Sequence, residues 1–130
     1  MPAPSVATYS ATAKVNANTS FRDLLDTGST AALLRIRTSA DALLIEIPLT
    51  DPCGTVNGTT GQLTLTFPGS PPNATATGTA AYGELCTSAG AVHLSLPAAA
   101  GTSAVSGQIV LNTLSIVSGA PVTVVSALIG

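Results

Sequence analysis

The chain has 130 residues, with four basic and six acidic side chains and one histidine, for a formal net charge of −2. That length suits one domain able to bury a core without metals or disulfides, and so few basic residues exclude a surface for neutralising nucleic-acid phosphates. Charged residues make up 8% of the chain against roughly 25% in an average protein, so little self-repulsion keeps copies apart. The gap is filled by Ala, Thr, Ser and Gly, a hydroxyl-rich surface suited to assembly.

Residues 1–18 are Ala, Ser, Thr, Pro and Asn with almost no apolar periodicity. They are expected as an extended arm that orders against a partner, ahead of a single β-rich domain over 19–130. The same stretch lacks the charged-then-apolar pattern of a secretory signal. No run of about 18 apolar residues is present, so no membrane is expected as partner, and with so few basic residues no nucleic acid is expected either.

A helix of about two turns is expected next. Thr19 or Ser20 can cap it, Asp23 sits in its first turn, and Phe21, Leu24 and Leu25 share one face. It runs into Leu24-Leu25-Asp26-Thr27-Gly28-Ser29, which matches the signature around the catalytic Asp of aspartic proteases. In such enzymes the Asp-Thr-Gly loop leaves a strand and two carboxylates share a proton at a dyad. Here the spacing before Asp26 is helical, so Gly28 reads as a helix stop. A dimeric aspartic protease using Asp26 stays as a remote alternative.

Beyond Gly28 the period becomes two. Leu34 and Ile36 alternate with Arg35 and Arg37; Leu43, Ile45, Ile47 and Leu49 with Leu44, Glu46 and Pro48; Leu63, Leu65 and Phe67 with Thr64 and Thr66; Val92, Leu94 and Leu96 with His93 and Ser95. Residues 107–114 and 121–129 are more apolar and read as strands covered on both sides. Segment 74–86 is a further strand, with Gly78 and Gly83 marking a bulge or close packing. Turn clusters at 38–41, 51–54, 57–58, 68–73 and 118–120 separate them. The expected fold is all-β, an antiparallel β-sandwich or barrel, with an extended N-terminal arm and one short α-helix.

Few side chains carry chemistry. His93 belongs to the polar face of its strand. Arg35 and Arg37 project from one face opposite Glu46, either as a cross-strand ion pair or as a cationic spot for a partner. Cys53 and Cys86 are two buried thiols or one disulfide. No P-loop, dinucleotide fingerprint or metal cluster is present, so neither a cofactor nor catalysis is expected.

The run from Phe21 onward resembles a family of small virion structural proteins of tailed bacteriophages. The resemblance lies in the order of several motifs: Leu24-Leu25-Asp26-Thr27-Gly28-Ser29, Leu34-Arg35-Ile36-Arg37-Thr38, Leu49-Thr50-Asp51-Pro52-Cys53-Gly54-Thr55-Val56-Asn57-Gly58, Leu63-Thr64-Leu65, Ala76-Thr77-Gly78-Thr79-Ala80-Ala81-Tyr82, Leu111-Asn112-Thr113 and Ile116-Val117-Ser118-Gly119-Ala120-Pro121-Val122. Family members more often carry a small residue at Cys53 and Trp or Phe at Tyr82, and the first departure adds weight to a Cys53–Cys86 bridge. The resemblance implies a capsid decoration, or cement, protein on the capsid surface. Its partners would be the major capsid protein and further copies of itself, as a trimer or other cyclic oligomer. A tail or vertex component, contacting a receptor, is the alternative. Val6, Tyr9 and Val15 of the arm, with Arg35 and Arg37, are the expected contact residues.

Overall fold

In the computed structural model residues 9–28, 30–68 and 72–129 are described. The first element is α1, Ala11–Leu25. It is about two and a half turns longer at its N-terminus than the apolar spacing implies. Ser10 is the cap, its side chain accepting from the Ala13 N–H at 3.1 Å. Residues 11–18 are therefore helical rather than an extended arm. Alanine and lysine favour that helix through intrinsic propensity, which leaves no apolar periodicity to detect. The C-terminal end is where the sequence places it: Asp26 caps the helix and Gly28 follows with φ +109°.

The rest is β-structure: β1 Leu33–Arg37, β2 Leu43–Pro48, β3 Gly54–Val56, β4 Leu63–Leu65, β5 Gly78–Thr79, β6 Tyr82–Cys86, β7 Val92–Ala100, β8 Ile109–Leu111, β9 Ser115–Ile116 and β10 Val124–Ile129. Eight strands form one curled sheet, a half-barrel, in the order β2-β1-β6-β7-β8-β10-β4-β3; β5 and β9 form a separate pair. The nine-residue β7 joins the two halves. Residues 92–97 pair with β6, and residues 98–100 pair with β8. The β7–β8 pairing is parallel, so the sheet is mixed rather than wholly antiparallel. The 101–108 connection makes this possible by crossing beside β10, where the Gly107 N–H bonds the Leu128 carbonyl at 2.8 Å.

The core lies in the concave side of the sheet. It gathers Leu34 and Ile36 of β1, Ile45 and Ile47 of β2, Leu63 and Leu65 of β4, Leu85 of β6, Leu96 of β7, Ile109 and Leu111 of β8, and Leu25 of α1. Gly83 of β6 is buried at its centre. A Cβ there would sit 2.2 Å from Ile109 Cδ1 and 3.1 Å from Leu34 Cδ1, so close packing, rather than a bulge, is what this glycine serves.

Period-two reading fails where a bulge shifts side-chain parity. A register shift between Ile36 and Arg37 sets Leu43 opposite Arg37, and Leu43 is 37% exposed while Leu44 is buried. A second shift between Leu85 and Cys86 leaves Val92 43% exposed. Strand β8 is covered on both sides as expected, but β10 is not: Ala127 is buried and Val125 is exposed.

Proline marks the free edge of the sheet at β2 and the point where β7 turns from β6 to β8. The Leu49 N–H bonds the Ala32 carbonyl and the Ala98 N–H bonds the Ala81 carbonyl. Ladder alternation then turns the backbone of the preceding residue, Pro48 or Pro97, away from the neighbouring strand. Pro48 thus occupies an outward position on an edge strand, where an unpaired N–H would otherwise stand, whereas Pro97 faces the start of the β7–β8 ladder.

Candidate interaction surface

On the convex side of β2-β1-β6-β7, antiparallel pairing places Glu46, Arg35, Glu84 and Ser95 in one row. Arg37, Tyr82 and Pro97 form the next row. Arg35 Nε donates to Glu46 at 2.8 Å, and Arg37 Nε donates to Glu84 at 2.5 Å. Arg37 also donates to the Asp41 carbonyl at 3.0 Å, and the Tyr82 hydroxyl donates to the Asp41 carboxylate at 2.7 Å. The hydrogen bond to Glu84 raises the Arg37 pKa further, and the bond to Asp41 pushes the Tyr82 phenol up. Both guanidinium groups are therefore neutralised within their own sheet. His93 is exposed beside them.

Asp26 forms a second polar node. Its carboxylate accepts from the backbone N–H of Cys53 at 3.0 and 3.2 Å, tying the end of α1 to the start of β3. The Thr27 hydroxyl donates to the Leu24 carbonyl at 2.8 Å. Residues 24–28 of the signature-like stretch, LLDTG, thus close a helix, as their spacing implies.

Cys53 and Cys86 are both buried and free, so the bridge is not formed. The Cys53 sulfur faces the Arg22 carbonyl at 3.8 Å, whereas that of Cys86 turns to the Glu84 carbonyl at 3.8 Å. Burial, reinforced by the Asp26 carboxylate, pushes the Cys53 thiol from its ordinary 9.0 up to about 12; burial also raises Cys86. Between those two values the unfolded chain has released a proton that the folded chain still holds. Folding stability should consequently fall as pH rises from 9.0 towards 12. Urea unfolding across that interval should show the decline, and Cys53→Ala should make it shallower, leaving the share of Cys86.

The ten charged residues are unevenly placed. Arg35, Arg37, Asp41, Glu46 and Glu84 belong to the face just described and its rim, and Lys14, Arg22, Asp23 and Asp26 belong to α1 and its cap. Asp51 lies between β2 and β3. Strands β3, β4, β8 and β10 carry no charge. On the convex side of β3, β4 and β10, Thr55, Thr64 and Leu128 stand in one row, and Val125, at the register shift of β10, is 38% exposed.

Of the expected contact residues, Arg35 and Arg37 share a face. Tyr9 is 78% exposed just before α1, and Val15 is half-buried on it. Val6 lies outside the described residues. The row of Thr55, Thr64 and Leu128 was not among the expected contacts. The sequence does hold its signal: beyond Asp51, Glu84 alone is charged.

Among the described residues, no three His, Cys, Asp or Glu side chains gather as metal ligands, and no helix is long and apolar enough to cross a membrane. No protein-family model, curated protein or solved structure matches the chain.

Proposed function

We propose that this chain is a structural protein of a tailed-phage virion, a decoration protein that seats on the major capsid protein lattice and stabilises the head. The ordered motifs from Phe21 onward suggest the class. The observation that carries the reading is the charge-free convex face of β3, β4 and β10. Burying Thr55, Thr64, Val125 and Leu128 desolvates no ion, so the large cost of dehydrating charge does not arise. The paired ions of the other face stay in water, where they cost little. Low charge also permits copies to crowd side by side, as a trimer or other cyclic oligomer on the capsid surface. Symmetric repetition then multiplies a weak contact.

Quantitative mass spectrometry of purified particles gives the number of copies per major capsid protein. A ratio near one, or a simple fraction of one, is expected. A few copies per particle would transfer the chain to the tail or a vertex, and absence would overturn the virion reading. Particles assembled with Thr64→Arg should lose the chain, because the substitution sets an unpaired charge in the contact.

A further inference from the structure

Helix α1 is fifteen residues long, yet Leu25 is its sole buried residue. Its attachments divide into two groups. At the C-terminal end, Leu25 is in the core, Phe21 packs against it, and Asp26 holds the Cys53 N–H. Toward the N-terminus the polar attachment is one side chain. The Asn18 amide donates to the Gly61 carbonyl at 2.6 Å and to the Ile129 carbonyl at 3.3 Å. Ala11, Thr12, Asn16, Ala17 and Ser20 are exposed. Gly61 makes the close approach possible. It has φ +79°, and a Cβ there would lie 2.3 Å from Lys14 Cβ and 2.9 Å from the Val15 nitrogen.

We propose that α1 is a two-part element: residues 21–25 are a fixed anchor, and residues 11–20 are a strap that lifts from the β3–β4 turn and the end of β10, with Asn18 as its latch. A strap of ten residues has too few internal hydrogen bonds to stay helical alone, since isolated helices shorter than about 12–15 residues are marginal in water. Lifting therefore melts it. The strap opens as one unit because its backbone bonds, beginning with Lys14 N–H to the Ser10 carbonyl, are next to one another and share one tether. The anchor does not follow, because its contacts are to the core. Use of the strap in assembly, re-ordered against a neighbouring capsid subunit, rests on the virion reading; the lifting itself does not.

Hydrogen exchange on the full chain, read amide by amide, tests this. Amides 14–18 should share one exchange rate, faster than those of Leu25 and Asp26. Asn18→Ala should raise that shared rate roughly tenfold, as loss of the two hydrogen bonds the amide donates implies, and leave Leu25 and Asp26 unchanged. Asn16→Ala, at an exposed neighbour, should raise nothing. A smooth gradient from the helix start that ignores Asn18→Ala would be ordinary end fraying and would overturn the proposal. So would acceleration of Leu25 and Asp26 together with the strap. Adding purified capsid lattice should protect amides 14–18. If they stay unprotected on particles that do bind the chain, the assembly use falls while the strap stands.

Discussion

Leu25→Ala should lower the unfolding free energy by about 2–5 kcal/mol, the range for removing a buried leucine side chain. Leu24→Ala, one position earlier, should change it by less than about 0.5 kcal/mol, the range for a surface substitution. The contrast follows from burial alone. Leu25 has no exposure and belongs to the core cluster, while Leu24 is 43% exposed. Urea unfolding of the two variants measures the difference directly. Leu25→Ala should also loosen α1 as a whole, because it removes the contact that fixes the anchor. Equal effects for the two leucines would mean that the end of α1 is not seated in the half-barrel as described.

Asp26→Ala should cost about 1–3 kcal/mol, since it leaves the partly buried Cys53 N–H without its acceptor. Asp26→Asn keeps an oxygen in place and should cost less than about 1 kcal/mol. Chemical denaturation of both variants separates the two outcomes. The same Asn variant should leave particle binding unchanged. A proteolytic activity present in the wild type and lost in Asp26→Asn would instead revive the dimeric protease alternative. The two carboxylate contacts to Cys53 also predict that Asp26→Ala loosens the start of β3. Faster exchange of the Cys53 amide would report it.

Much of the sheet was legible because one of its faces is buried, and burial writes a period of two. Leu34 and Ile36, and Ile45 and Ile47, are inside as their alternation implies. Leu43 and Val92 break the pattern because bulges at Arg37 and Cys86 shift parity, and a bulge has no composition signature here. The helix is the converse case. Its last turn buries Leu25 and showed in the spacing, whereas residues 11–20 bury nothing fully and left no apolar trace. Ser10 followed by Ala11 and Ala13 was the available cue, one of capping and propensity rather than periodicity. The parallel β7–β8 pairing could not be read, because strand direction depends on the path of the 101–108 connection and not on side-chain pattern. The ion pairs were half legible. Arg35–Glu46 follows from adjacent strands, but Arg37–Glu84 joins residues far apart in sequence. At the surface, the visible charges drew the reading to Arg35 and Arg37. The informative feature is the stretch of chain that has almost none.

The outward-facing proline of β2 has a consequence for crowded copies. A weakly charged chain rich in Thr and Val is the kind of sequence whose sheets run on from one molecule into the next, building fibrils. Pro48 deletes a hydrogen-bond donor from the margin of β2, where such growth would start. Open-ended strand-by-strand polymerisation is thereby disfavoured at that margin. Face contacts related by a closed rotation end in finite assemblies, so this imino acid favours them over fibrils when copies are crowded.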